Sequence, residues 1–204
     1  MKQTILIIDA GHGGIDPTTG QYTTFPAKCS KHEGQWHYEG VTNRQFAAQF
    51  IEEASKLGFI CVPVYHPYKD FSLQARTNLA NYFGKVFEQT LFLSFHSNAS
   101  TNDHNGTGQA RGYTGFTLSN KGAAFNILNT ITPAIAEVFD KLGSKRPNHV
   151  WQAGFHVLKF TNMPAILFEL GFHDNYADSM MIRDKESRQM IVKAIANELN
   201  ELLG

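Results

Sequence analysis

Ile5-Leu6-Ile7-Ile8-Asp9-Ala10-Gly11-His12-Gly13-Gly14 decides how the rest of the chain is read. Four consecutive aliphatic residues ahead of Asp9 predict a strand buried on both faces, as in a parallel sheet covered by helices. The Gly-His-Gly-Gly that follows is then the turn at the strand's carboxyl end. Glycines there let the backbone turn sharply and come close to a ligand. In open α/β sheets ligands bind beyond the carboxyl ends of strands, which places His12 where chemistry is done. On this stretch alone, a loop histidine beside turn glycines is the plain alternative.

Outward from that turn, residues 15–40 form a polar segment rich in Gly, Thr, Lys and His, without usable periodicity. It reads as a long loop insertion, and such loops are usually functional or mobile. Thr42 is the expected cap of a helix that carries Phe46, Phe50, Ile51, Ala54 and Leu57 on one face and ends at Gly58. Residues 59–65 predict a second strand, placed at an edge or a bulge by Pro63. Ser72 opens another helix, with Leu73, Arg76, Leu79, Ala80 and Phe83 along one side and Gly84 closing it. A third strand over 90–95 ends in His96. A Gly/Asn/Ser/Thr loop over 98–112 leads to a fourth strand over 113–118. A helix over 121–142 is expected to kink or restart at Pro133. The apolar run 164–168 leads into Glu169, and Met190, Ile191, Ala194, Ile195, Leu199 and Leu202 mark a final helix. Strands alternating with helices predict one α/β domain over 1–204, with a largely parallel or mixed six-stranded sheet and helices on both faces.

The composition excludes several function classes. A chain of 204 residues, 42% hydrophobic and 18% charged, is an ordinary globular protein with a full core. Its 18 basic and 18 acidic side chains cancel, so no nucleic-acid partner is expected. Cys29 and Cys61 make no disulfide framework, and neither sits in a nucleophile turn, which argues against a thiol hydrolase. No apolar stretch approaches the ~20 residues that span a membrane. Met1-Lys2-Gln3 enters the first strand without a secretory segment, so the chain is expected to be made in the cytoplasm, as a monomer.

Three predicted strands end in an ionisable residue: His12, His96 and Glu169. Side chains at the carboxyl ends of neighbouring strands converge. Two histidines and a carboxylate form a zinc ligand set that leaves one coordination position for water. Glu169 follows a wholly apolar strand, where poor solvation raises a carboxyl pKa and suits a general acid or base. Glu39 lies at the end of the polar segment and is placed to supply the third ligand. A solvated carboxylate at a helix start is the other reading of Glu39. Asp9 is a candidate either to orient a ligand or simply to bond the strand-end backbone.

These residues resemble the zinc-dependent N-acetylmuramoyl-L-alanine amidases, the group whose first motif is Gly-His-Gly-Gly after a strand. Residues Ile7 to Gly14 look like that first motif, and Glu39 followed by Asn43 matches the second. Phe71-Ser72-Leu73 through Arg76 to Ala80-Asn81 resembles the helix motif between ligands. Ser94-Phe95-His96-Ser97-Asn98-Ala99 resembles the second histidine motif. Phe155-His156-Val157-Leu158, with the run from Pro164 through Glu169 to Phe172, resembles the last. Five pieces in this order cover nearly the whole chain. The resemblance implies Zn2+ held by His12, Glu39 and His96, with Glu169 catalytic. It also implies hydrolysis of the amide between the lactyl group of N-acetylmuramic acid and L-alanine in peptidoglycan. A zinc peptidase or deacetylase on another amide, or an inactive wall-binding module, are the alternatives. The absence of an export segment resembles phage or prophage lysis enzymes, which act on the wall after release. The 15–40 segment departs from the family in its length and contains Cys29, His32 and His37, each able to ligate zinc. The remaining histidines, His66, His104, His149, His156 and His173, are read as surface or packing residues.

Overall fold

The computed structural model describes residues 4–101 and 104–204; the approach of Met1-Lys2-Gln3 to the first strand lies outside them. Strands β1 (Ile5–Ala10), β4 (Ile60–Pro63), β5 (Thr90–Asn98), β6 (Tyr113–Thr117), β7 (Val150–Gln152) and β8 (Ala165–Phe172) form one sheet in the order β4-β1-β5-β8-β6-β7. β4, β1, β5 and β8 run parallel, β6 is antiparallel to β8, and β7 is parallel to β6. This is the mixed six-stranded α/β sheet the alternation predicts, with the Pro63 strand at an edge.

Alternation along the strands sorts side chains between two helical layers. Leu6, Ile8, Leu93, Phe95, Ile166 and Phe168 face α1 (Glu39–Lys56), α3 (Ala123–Lys141) and α6 (Lys185–Leu203) in the larger core. Ile5, Ile7, Phe92, Ala165 and Leu167 face α2 (Leu73–Val86) and the short α4 (His156–Lys159). The same parity puts Asp9, Ser94, His96 and Glu169 on this second, more thinly covered face. Polar side chains therefore take over where the α2 layer stops.

Several local expectations are corrected. The 15–40 segment is not irregular throughout: β2 (Cys29–His32) and β3 (Gln35–Tyr38) pair as an antiparallel hairpin. α1 starts at Glu39 rather than after Thr42, and the Thr42 hydroxyl bonds His37 Nε2 at 2.9 Å instead of capping the helix. On α2, Leu73 and Leu79 are exposed, and the buried positions are Arg76, Thr77 and Ala80. Gly84 does not end α2, because a Cβ there would lie 2.6 Å from Met163 Cε; close packing explains it. α3 runs continuously through Pro133. β5 extends to Asn98 and β8 to Phe172, so His96 and Glu169 lie within strands rather than just beyond them.

α5 (Tyr176–Arg183) and β7 carry no periodicity long enough to predict them. α5 is fixed by one buried carboxylate. Asp178 accepts from the Ser144 hydroxyl (2.6 Å), Arg111 Nε (3.0 Å), and the backbone N–H groups of Gly112 (2.8 Å) and Phe172 (3.1 Å). Removing it strands two buried N–H donors and a cation, which costs about 3 kcal/mol. Asp178→Ala should lose that much in urea unfolding. A loss under ~1 kcal/mol would mean that these groups find other partners.

Candidate functional site

The turn after β1 is built differently from its sequence reading. Gly11, Gly13 and Gly14 are not left-handed; His12 itself is, at φ 63°. The glycines are needed for space. A Cβ on Gly11 would lie 2.0 Å from His96 Cε1, and one on Gly13 would lie 1.8 Å from Thr23 Oγ1. A left-handed non-glycine residue persists only where its surroundings hold it. Here two guanidinium groups do so. The His12 carbonyl accepts from Arg44 Nη2 at 2.7 Å and from Arg76 Nη2 at 2.9 Å.

Arg76 is buried, at 2% exposure, and its other donors reach Asp9 Oδ1 (2.7 Å), the Ala10 carbonyl, Asp70 Oδ1 (3.1 Å) and the Phe71 carbonyl (2.9 Å). Asp9 accepts from the Ser94 hydroxyl at 2.6 Å on its other oxygen. Asp9 therefore anchors Arg76 and bonds neither a ligand ring nor the strand-end backbone. Arg76 and Arg44 are the positioning residues that sequence reasoning missed. A charged residue placed on an otherwise apolar helix side was the available signal for Arg76.

His12, Glu39 and His96 come together. Glu39 Oε1 lies 3.2 Å from His12 Nε2 and 3.1 Å from His96 Nδ1, and the two rings meet edge-on at 5.1 Å. One donor atom from each residue falls within 4.8 Å of the others. Among the described residues this is the one group of three or more His, Cys, Asp or Glu arranged to hold a metal ion. Asn43, one helical turn after Glu39, donates from Nδ2 to Glu39 Oε1 (3.3 Å) and to the Gly11 carbonyl (3.2 Å). Burial pushes the Glu39 carboxyl up, but His12 and then His96 outweigh it and hold it well below the usual carboxylate range. Burial pulls His96 down, and the Glu39 hydrogen bond with the nearby Glu169 charge lifts it above its ordinary value.

Glu169 is the register partner of His96 on β8, so the two side chains emerge side by side. Burial, reinforced by Glu39 and opposed by His96, pushes its carboxyl up to about 8. Glu169 Oε2 and His173 Nε2 are buried polar atoms without a protein hydrogen-bond partner, and both belong to this cluster. Such orphans beside a His/Glu/His set fit a site that takes an ion and a polar ligand.

The other candidate ligands point elsewhere. His37 is bonded through both nitrogens, to Ser179 Oγ (2.7 Å) and Thr42 Oγ1, and burial holds it well below its ordinary value. His32 Nε2 meets the His173 carbonyl at 2.8 Å, and Cys29 Sγ donates to the Pro26 carbonyl at 3.2 Å. His66, His149 and His104 bond nearby backbone groups, and His156 packs on Phe160. His173, read as packing, instead sits with Nε2 3.6 Å from Glu39 Oε2. Left-handed Gly171 and a register shift beyond His96 break the strand alternation that would have placed it.

Because the folded Glu169 carboxyl titrates above its unfolded value, the folded state binds the extra proton. Its contribution to stability is then greatest at acid pH and is lost as pH rises from about 4.5 through about 8. In chelator-treated protein, Glu169→Gln should remove this loss and raise Tm relative to wild type at pH 9 more than at pH 5. Equal shifts at both pH values would show that Glu169 is not the group responsible.

The chain matches the N-acetylmuramoyl-L-alanine amidase family over residues 6–201. It is 31% identical to the sporulation-specific N-acetylmuramoyl-L-alanine amidase of Bacillus subtilis, over 96% of this chain and 67% of that protein. It is 34% identical to the N-acetylmuramoyl-L-alanine amidase CwlM of Bacillus licheniformis, over 63% of this chain and 45% of that protein. The chain thus spans about half to two thirds of the length of these curated relatives. The fold is shared with the crystal structure of the N-acetylmuramoyl-L-alanine amidase from Clostridium difficile 630, at 24% identity and a TM-score of 0.78, covering 100% of this chain and 98% of that one. With the family match running from β1 into the last helix, this chain belongs to the N-acetylmuramoyl-L-alanine amidases.

Proposed function

We propose that this chain hydrolyses the lactyl–L-alanine amide of peptidoglycan, with zinc held by His12, Glu39 and His96 and with Glu169 as general base and acid. The observation that carries the reading is the pairing of two different carboxylates in one cluster. Glu39 is kept ionised by two histidines, as a ligand must be. Glu169 is pushed up to about 8, as a proton carrier near neutral pH must be. When bound, zinc supplies Lewis-acid polarisation of the scissile carbonyl and lowers the pKa of water.

The chain's own residues do the rest. Asn43 and the two histidines hold Glu39 in one orientation. Arg76 and Arg44 fix the His12 backbone, and with it the direction in which the side chain leaves the chain. Glu169 takes a proton from the attacking water at its carboxylate and passes it to the amide nitrogen. That transfer matters because an unprotonated amine is a very poor leaving group. His173, held below its ordinary value by burial, faces Glu39 as a neutral ring.

A digest of purified peptidoglycan tests the reading. It should yield new L-alanine amino termini, no new reducing sugar ends, and no product after chelation. Glu169→Gln should retain zinc stoichiometry and lose about 10²–10⁴-fold in kcat. Near-normal turnover by a zinc-loaded variant would remove Glu169 from the reaction. A phage or prophage lysis role is part of the same proposal. Protein made inside a bacterium should then leave the cell intact until the membrane is permeabilised, when turbidity falls. Lysis without permeabilisation, or none after it, would exclude that role.

A further inference from the structure

Glu39 uses its two oxygens in opposite directions. Oε1 faces His12, His96 and Asn43, whereas Oε2 faces His173 Nε2 at 3.6 Å and Lys28 Nζ at 4.0 Å. A cleft abuts each side. One, of about 390 Å³, is bordered by His12, His96, Asp9, Asp70, Phe71 and Leu73. The other, of about 360 Å³, is bordered by Pro26, Lys28, Thr101, His104 and His173. The two clefts offer an amide at the cluster one place for its acyl part and another for its amine part.

Among the described residues, charge distinguishes the two. The first is bordered by the carboxylates of Asp9 and Asp70, and its one permanent cation, Arg76, is buried and committed to both. A substrate carboxylate finds no uncommitted cation among the residues bordering it. The second offers the Lys28 ammonium. The Lys28 backbone is held left-handed at φ 57°, with its carbonyl accepting the Glu39 N–H at 3.0 Å. Its side chain is half exposed, and its contact with Glu39 is at the outer limit of an ion pair. A pair that loose contributes little, which leaves the ammonium available to a better partner.

We propose that the peptide stem lies in the Lys28 cleft and that Lys28 Nζ binds a carboxylate on the residue following L-alanine. This rests on the amidase reading above. One residue of extended chain spans about 3.5 Å, so such a carboxylate reaches the ammonium while the amide stays at the cluster. The acyl and sugar part of the substrate then occupies the cleft bordered by Phe71 and Leu73.

Two synthetic muramoyl-peptides test it, one with a free and one with an amidated carboxylate on the second residue. Wild type should favour the free acid by about tenfold in kcat/KM, through KM rather than kcat. Lys28→Gln should abolish the preference, and Lys28→Arg should retain it. Calorimetric binding of the two released stem peptides should follow the same order. An equal loss on both substrates in Lys28→Gln, or a preference that survives it, would overturn the assignment. If wild type frees no L-alanine amino terminus from either substrate, the amidase reading itself fails, and that result is distinct from a lost preference.

Discussion

The buried guanidinium of Arg76 is the constraint on which the rest of the site depends. Its acceptors come from β1, from the turn after β1, and from the two residues ahead of the Ser72 cap of α2. A cation taken out of water is tolerated only when such partners surround it, so these segments must assemble together or not at all. Arg44 adds a second anchor from α1, bonding the Gly13 and Gly40 carbonyls as well as that of His12. The left-handed conformation at His12 costs about 1 kcal/mol or more, and these charge-assisted bonds offset it. The point from which the His12 ring projects is therefore set by its backbone, and its contacts with Glu39 and His96 orient the ring.

Glu39 shows how electrostatics and helix geometry combine. As the first residue of α1 it sits at the positive end of a helix dipole, 2% exposed, between two imidazoles. Burial alone would neutralise it. The two histidines keep it ionised, and Asn43 four residues on fixes one oxygen. Glu169, half-buried and with Oε2 lacking any donor, drifts the other way. The two carboxylates of one cluster are thus driven to opposite protonation behaviour by the balance of burial against histidine charge and hydrogen bonds, not by chain position.

Much of the fold was legible because the signals were local. The aliphatic run of β1, the Pro63 edge strand, the Ser72 cap and the helix α6 each follow from periodicity or turn chemistry, although Met190 and Leu202 of the α6 stripe are exposed. His12, His96 and Glu169 could be grouped because strand parity and strand ends are local too. What escaped depends on contacts between distant residues. Arg76 was placed on an apolar stripe because periodicity cannot tell a buried salt bridge from a misplaced charge; Leu73 and Leu79 of that stripe are exposed. Glycines 11 and 13 were credited with turning, whereas their role is to leave room for His96 and Thr23, more than 80 and about 10 residues away in sequence respectively. The β2–β3 hairpin lacks alternation in its sequence because Ser30, His32 and His37 are buried polar residues bonded to the α5 region.

That hairpin changes the status of the whole 15–40 segment. A loop that merely covered a groove would touch the ligand residues from outside. Here the Glu39 N–H donates to the Lys28 carbonyl, and the Gly40 N–H donates to the Tyr22 hydroxyl at 3.0 Å. The first turn of α1, which presents Glu39, has its first two free N–H groups satisfied by this segment. From the other side, Ser30 and His32 both bond the His173 carbonyl, fixing the residue that faces Glu39 Oε2. A helix start buried without those partners would fray, and Glu39 would lose its place between the histidines. The segment is therefore part of the scaffold that holds the cluster: the same stretch supports the Glu39 carboxylate and borders the cleft beside it.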